Sequence, residues 1–143
     1  MSTFTAPITP WPVTTVGVDL VDVARVARAW TRPGGAERLL TAGELAYCRA
    51  RPHEDEHVAA RFAAKEAVLK AFGTGLSTGM RWTDVEVVND PTGRPQVRLH
   101  GEAARRADRR GLLGIEVSLS HTAELAIAQA VAVWTSQQGE ASA

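Results

Sequence analysis

The chain of 143 residues is poor in cysteine and lysine, and it has no excess charge of either sign. Its single cysteine, Cys48, excludes an intrachain disulfide and any metal site built from several cysteines, and it suits a reducing compartment. Sixteen basic and sixteen acidic side chains cancel, so no overall charge favours binding to nucleic acid or to a membrane surface.

Long apolar runs are also absent, and none approaches the length of a membrane span. The N-terminal segment MSTFTAPITPWP lacks the charged and apolar regions of a secretory signal, so we expect a cytoplasmic protein. Hydrophobic residues make up 45% of the chain, and its length fits one folded domain. We predict an extended N-terminal tail over 1–13, a single domain over 14–134 and a flexible tail over 135–143.

The apolar residues change from helical to alternating spacing along the chain. Helical spacing predicts four helices, over 21–31, 41–51, 57–72 and 102–110. Alternating and β-branched segments predict five strands, over 14–21, 84–90, 96–100, 114–120 and 124–134. Thr41 and Glu44 match a capping box at the second helix, and the polar stretch PHEDEH before the third predicts a loop. This order predicts an α+β fold with helices packed on a mainly antiparallel sheet.

Lysine is rare, because the chain has fourteen arginines but only two lysines, Lys65 and Lys70, both in RFAAKEAVLKAFGTG. A lysine ammonium is a compact point charge, whereas arginine offers a planar fork. We interpret the lysines as functional, with chance as the alternative. On the predicted helix, Glu66 and Lys70 share a face with two alanines, Ala59 and Ala63, which leave room for a close neighbour. A simple surface Glu66–Lys70 pair remains the alternative.

Arg61 and Lys65 are a like-charged pair at i and i+4 on the same helix. Arg61, Lys65 and Lys70 together therefore suit an anion better than one another, with a solvated basic face as the alternative. The glycines of GTG follow this helix rather than precede it, so Gly73 is predicted to be a left-handed C-cap and not a phosphate cradle.

Asp19 ends an apolar strand and follows Gly17, which allows a backbone or a ligand to approach closely. Asp19 could cap the helix predicted from Val21. It could also share a metal with Glu66, because Mg²⁺ commonly takes one or two protein carboxylates and completes its coordination with water and substrate phosphates. Both roles remain open from the sequence.

Two further groups carry charge or nucleophilic side chains. Arg25, Arg28 and Arg32 form a stripe on the first helix that is either solvated or a surface for an acidic partner. His121 follows Ser118 and Ser120, and a serine–histidine nucleophile pair is conceivable, but the sequence has no nucleophile-elbow motif and no obvious third member. A histidine at a turn is more often solvated or a phosphate donor.

Three segments resemble motifs of the small holo-acyl-carrier-protein synthases, which are 4′-phosphopantetheinyl transferases. GVDLVDVAR (17–25) resembles their G-x-D-x-x-x-x-x-R signature. RFAAKEAVLKAFGTG (61–75) matches F-x-x-K-E-A-x-x-K-A-x-G-x-G at every fixed position. SLSHT (118–122) resembles a looser third motif, and the similarity covers residues 15–134.

The resemblance implies transfer of 4′-phosphopantetheine from coenzyme A to a serine of an apo acyl carrier protein of fatty-acid or polyketide type, with release of adenosine 3′,5′-bisphosphate. It implies that Asp19 and Glu66 hold Mg²⁺ and that Lys70 contacts phosphate oxygens. Glu66, directly or through a metal-bound water, is the candidate base for the serine proton. In place of a second metal-binding acid of larger relatives this chain has Val21, which favours the small class. Asp22 stands where that class often has glutamate.

The resemblance also implies how coenzyme A and the carrier are held. Arg25 faces the acidic helix of the carrier, and Arg28 and Arg32 extend the same stripe. The residues implied to surround the nucleotide and its 3′-phosphate are Arg61, Lys65, His121 and the motif glycines Gly73 and Gly75.

Members of this size form homotrimers with active sites between subunits, so the resemblance implies a homotrimer. The segment 125–134 is apolar on both faces, which a subunit interface or a central position in the sheet would explain. Two other functions remain open. A small Mg²⁺-dependent nucleotide hydrolase would turn over coenzyme A without a carrier, and a silent binding module would bind it without forming a product.

Overall fold

The computed structural model describes residues 2, 3, 5, 12–77 and 79–135. Most of the tails predicted over 1–13 and 135–143 lies outside these residues. The described part of the chain contains no helix that is both long and apolar enough to span a membrane.

The described residues form five strands and five α-helices. The strands are β1 (Val13–Asp22), β2 (Val85–Asn89), β3 (Pro95–Leu99), β4 (Leu112–His121) and β5 (Leu125–Trp134). The helices are α1 (Val23–Trp30), α2 (Gly35–Leu39), α3 (Ala42–Arg49), α4 (Glu54–Phe72) and α5 (Gly101–Arg110). This architecture confirms the predicted α+β class.

The main sheet has the strand order β1–β5–β4, and both pairings are antiparallel. Its first strand therefore comes from the start of the chain and pairs with the last strand along its whole length, from Val13 opposite Trp134 to Asp22 opposite Leu125. Strands β2 and β3 form a separate hairpin, as predicted around PTGRP.

Two helix starts differ from the prediction. Strand β1 continues to Asp22, whose Oδ1 accepts a 3.0 Å hydrogen bond from the Arg25 backbone N–H and caps α1. Asp19 is therefore not the cap. Helix α4 begins at Glu54 within the predicted loop, because three acidic residues in its first turn interact favourably with the positive end of the helix dipole. The Thr41–Glu44 capping box of α3 is confirmed.

Helix α4 packs closely on the main sheet because the facing side chains are small. Four alternate alanines of β5 are buried against it, namely Ala126, Ala128, Ala130 and Ala132. On β1, a side chain at Gly17 would lie 2.8 Å from the Ala71 backbone nitrogen and 2.9 Å from Lys70 Cβ. Gly17 thus brings the end of β1 against α4, and Gly73 ends that helix with a φ of 77° in the left-handed region, as predicted.

Candidate active site

Asp19 of β1 and Lys70 of α4 are in direct contact. Lys70 Nζ lies 2.9 Å from Asp19 Oδ1 and donates a second bond of 2.9 Å to the Val18 carbonyl oxygen. The Lys70 side chain is 51% exposed and that of Asp19 is 15% exposed. Two of the three ammonium donors are used by described residues, and the third remains for a ligand. The ion pair of Lys70 is with Asp19 rather than with Glu66, which argues against a simple surface helix pair.

Glu66 lies one turn before Lys70 and lines the same cleft as Asp19. Burial and the charge of Asp19 raise the pKa of Glu66, whereas Lys70 acts in the opposite direction. Two carboxylates that repel each other are suited to share a cation. Within the described parts of the chain, no group of three or more His, Cys, Asp or Glu side chains is arranged to hold a metal. A metal here would therefore take its remaining ligands from water and substrate.

A cleft of about 730 Å³ extends from this cluster along β1, α1, α2 and α4. Arg25, Arg32 and Arg38 line it and are exposed. Its apolar lining includes Val26, Leu39, Phe62 and Trp82. The cleft therefore combines a carboxylate–ammonium cluster, basic side chains and an apolar wall.

Only part of this lining was predicted from the sequence. Arg28 is exposed on α1 but is not among the described residues that line the cleft, so the structure separates it from Arg25 and Arg32. Phe62 and Trp82, whose ring centroids are 5.0 Å apart, were missed, as was Arg38. Phe62 is a fixed position of the second motif and could have been found from it. No comparable sequence signal marks Arg38.

Lys65 is not available to a ligand, which corrects the prediction that it surrounds the nucleotide. Its side chain is fully buried, and Nζ donates bonds to Glu44 Oε1 (2.7 Å), the Trp82 carbonyl (3.1 Å) and the Val85 carbonyl (2.6 Å). These bonds use all three donors of the ammonium. Burial lowers the pKa of Lys65, and Glu44 opposes this shift. Lys65 therefore joins α4 to α3 and to the start of β2.

Arg61 is 3% exposed and does not form the predicted anion-binding group with Lys65 and Lys70. Its Nη2 donates a 2.7 Å bond to Asn89 Oδ1, and its guanidinium lies 3.9 Å from the centroid of the Tyr47 ring. The Arg61 Nε atom is buried without a hydrogen-bond partner among the described residues. An unsatisfied buried donor on a cation is suited to an anionic ligand.

His121 lies at the end of β4, and its Nδ1 is 2.9 Å from Glu56 Oε1 on α4. The ring of His57 packs edge-on against it at 5.0 Å. Glu56 is thus a partner of His121 that sequence reasoning missed, because it falls in the stretch predicted as a loop. Ser120 points to the opposite face of β4 from His121, since successive strand residues alternate. The serine–histidine hypothesis therefore gains no support.

The predicted site is divided in this chain. Asp19, Glu66 and Lys70 meet in the cleft, whereas Arg61 and His121 are not among the described residues that line it. The same holds for the motif glycines Gly73 and Gly75, which have φ values of 77° and 59°.

The chain matches the family model described as the 4′-phosphopantetheinyl transferase superfamily over residues 15–130. It is 53% identical over 124 residues to the holo-[acyl-carrier-protein] synthase of Desulforudis audaxviator (strain MP104C), covering 85% of this chain and 94% of the relative. It is 47% identical over 118 residues to that of Geobacter sulfurreducens, covering 80% and 93%.

Two solved structures have folds similar to that of this chain. The fold is similar to an ACPS–CoA complex from Chronobacterium ammoniagenes, with a TM-score of 0.78, 30% identity and coverage of 86% of this chain and 98% of that one. It is also similar to the acyl carrier protein synthase of Mycobacterium tuberculosis, with a TM-score of 0.64, 36% identity and coverage of 85% and 96%.

Proposed function

The chain belongs to the 4′-phosphopantetheinyl transferase superfamily, and we propose that it transfers 4′-phosphopantetheine from coenzyme A to a serine of an apo acyl carrier protein. The products are the holo carrier protein and adenosine 3′,5′-bisphosphate. The observation that carries this proposal is the meeting of Asp19 from β1 with Glu66 and Lys70 from α4 in one cleft. The first two motifs supply these three residues.

Asp19 and Glu66 are the residues that would hold Mg²⁺. Burial and then the charge of Asp19 raise the pKa of Glu66, and a divalent cation between the two carboxylates would relieve their repulsion. Two carboxylates also suit Mg²⁺, which keeps water and substrate phosphates as its other ligands. When bound, the ion supplies positive charge that polarises the pyrophosphate of coenzyme A.

Lys70 and Glu66 perform the steps that belong to the protein. The free donor of Lys70 binds a pyrophosphate oxygen and stabilises the charge that develops on the leaving group. Glu66 lies in the cleft beside Lys70 and accepts the proton of the carrier serine. The serine oxygen bonds to the phosphorus that carries pantetheine, and the bond from that phosphorus to adenosine bisphosphate breaks.

Arg25 and Arg32 form the part of the cleft that receives the acidic carrier protein, and Arg28 is exposed on α1 outside the described cleft lining. Their exposure allows contact with acidic side chains, and complementary charge favours fast and specific association.

The nucleotide end of coenzyme A is bound by Arg61 and His121, and a homotrimer brings these residues of one subunit to the cleft of the next. The division of the site in a single chain supports this arrangement. An uncovered apolar face of the main sheet supports it too. Its members are Val16, Val18, Leu20, Leu125 and Ile127, with exposures between 42% and 63%. Patches of this kind commonly mark interfaces.

We place the reaction in the cytoplasm, which supplies coenzyme A and suits the free cysteine of this chain. The proposed function is tested by mass spectrometry of apo carrier proteins after incubation with the protein, coenzyme A and Mg²⁺. We expect one carrier serine to gain phosphopantetheine. Hydrolysis of coenzyme A without a modified carrier would indicate a nucleotide hydrolase instead. Binding without any product would indicate a silent module.

A further inference from the structure

Glu56 and His121 form a carboxylate–imidazole pair that joins the first turn of α4 to the end of β4. The inference drawn from it rests on the proposed function. We propose that Glu56 is a positioning residue that fixes the imidazole of His121 so that its Nε2 binds a phosphate group of coenzyme A.

The imidazole is held on two sides. Glu56 Oε1 lies 2.9 Å from Nδ1, and the His57 ring packs against His121 at an interplanar angle of 65°. The side chains of Glu56 and His121 are 17% and 30% exposed, so the carboxylate is mostly buried and part of the imidazole is open to a ligand. Burial, followed by the charges of His121, Arg61 and Arg51, lowers the pKa of His57. His57 packs as a ring beside the pair.

The hydrogen bond determines which nitrogen of His121 faces a ligand. Glu56 accepts from Nδ1–H, and Nε2 has no partner among the described residues. In a protonated imidazole both nitrogens are donors, so one N–H goes to Glu56 and the other remains for a phosphate oxygen. Carboxylates commonly orient functional histidines through the nitrogen that does not meet the ligand. Without Glu56 the ring would be free to turn either nitrogen outward.

A purely structural role for Glu56 predicts different behaviour. The negative charge of Glu56 in the first turn of α4 stabilises the start of the helix, but Glu54 lies in the same turn and has the same charge. Glu54 is exposed and is not hydrogen-bonded to any described residue, so it is the matched control. The second contact of Glu56, to His53 Nδ1, is longer at 3.7 Å and involves a side chain that is 77% exposed.

The test compares steady-state kinetics of wild type, Glu56→Gln, Glu54→Gln, His121→Gln and the Glu56→Gln/His121→Gln double variant. We expect Glu56→Gln to raise the KM for coenzyme A about 5-fold to 10-fold, with a smaller effect on kcat. His121→Gln should raise it at least as much, and Glu54→Gln should leave it at the wild-type value. The double variant should match His121→Gln, because Glu56 acts only through the imidazole.

An equal KM in Glu56→Gln and Glu54→Gln, or a full additional increase in the double variant, would overturn the proposal. Nitrogen-15 NMR of the His121 ring tests it without turnover. Wild type should keep Nδ1–H bonded to Glu56 both in the neutral ring and in the doubly protonated ring that binds phosphate, and in Glu56→Ala the neutral ring should shift toward the Nε2–H form. An unchanged tautomer would also overturn the proposal. Absence of carrier modification by wild type would contradict the proposed function instead, and the NMR result would still decide the role of Glu56.

Discussion

The two sides of helix α4 use the same types of charged residue for different purposes. On the inner side, Lys65 is fully buried and spends every donor on Glu44 and two carbonyls. On the outer side, Lys70 is half exposed, pairs with Asp19 and has one donor that no described residue uses. The ion-pair distances, 2.7 Å and 2.9 Å, are nearly equal. Exposure and unused bonding capacity, rather than the presence of an ion pair, distinguish a ligand site from a structural one.

The largest effect should come from breaking the inner pair. Lys65→Met leaves Glu44 as a buried carboxylate without a cation, so we expect a loss of about 3–5 kcal/mol in the free energy of unfolding. Urea unfolding measures it. Lys70→Met is the matched control and should lose less than about 1 kcal/mol, because its pair is partly exposed. Adding Glu44→Gln to Lys65→Met should restore part of the loss. Equal losses at both lysines would contradict the comparison.

The next effect concerns the two carboxylates of the outer side. Asp19→Asn and Glu66→Gln should each lower turnover by at least about 100-fold, because a neutral amide attracts Mg²⁺ weakly and does not accept a proton. Carrier modification is measured over a range of Mg²⁺ concentrations, and a chelator should abolish it. Asp22→Asn is the control, since asparagine also caps a helix. Near-normal rates of either site variant at low Mg²⁺ would remove that carboxylate from the metal site.

The sequence predicted the outer side of α4 better than the inner side. Helical spacing alone places Glu66 and Lys70 together, and the strand before Asp19 was evident from its β-branched residues. The partner of Lys65 is distant along the chain, and Glu44 was interpreted only through its local capping role. Glu56 escaped notice in the same way, because its contact with His121 spans 65 residues. Local periodicity finds faces, but it does not identify the residue that packs against each face.

Substitutions of Lys70 test whether the site requires the compact charge of a lysine ammonium. Lys70→Ala should lower kcat about 10-fold to 100-fold, because the leaving phosphate loses a stabilising charge. Lys70→Arg should also be slower than wild type, since a planar guanidinium does not fit a site for a compact charge. Single-turnover rates are measured beside thermal stability. Wild-type kcat in Lys70→Arg would refute the argument from shape.

Arg25 and Arg28 of α1 offer a second comparison between a residue of the site and a residue outside it, and we expect smaller effects there. Arg25 lines the cleft and Arg28 does not, although both are exposed. Arg25→Glu should raise the KM for the carrier about 5-fold to 10-fold at low ionic strength, and Arg28→Glu should raise it less. The difference should shrink as salt is added. The KM for coenzyme A is the internal control and should stay the same. Equal increases in the carrier KM for Arg25→Glu and Arg28→Glu would indicate that both arginines belong to one carrier-binding surface.

The smallest effect should be a gain in stability when Glu66 is replaced by glutamine. Glu66 is the neighbour of Lys65, where we expect the largest loss. Burial and Asp19 raise its pKa in the folded chain above the ordinary value of 4.5, so the folded state holds the proton more tightly than the unfolded state. The free energy of unfolding therefore falls as pH rises from the pKa of Glu66 in the unfolded chain to its pKa in the folded chain. Above both pKa values the folded protein bears the full destabilisation from the ionised carboxylate. Glutamine has no such cost.

We expect the free energy of unfolding of Glu66→Gln to exceed that of wild type by less than about 1 kcal/mol at pH 7, because Glu66 is only partly buried. Near pH 3 the two proteins should be equally stable. Urea unfolding at both pH values measures this, with Glu54→Gln as the control on the same helix. A stability loss in Glu66→Gln at pH 7 would mean that Glu66, like Lys65, serves the fold.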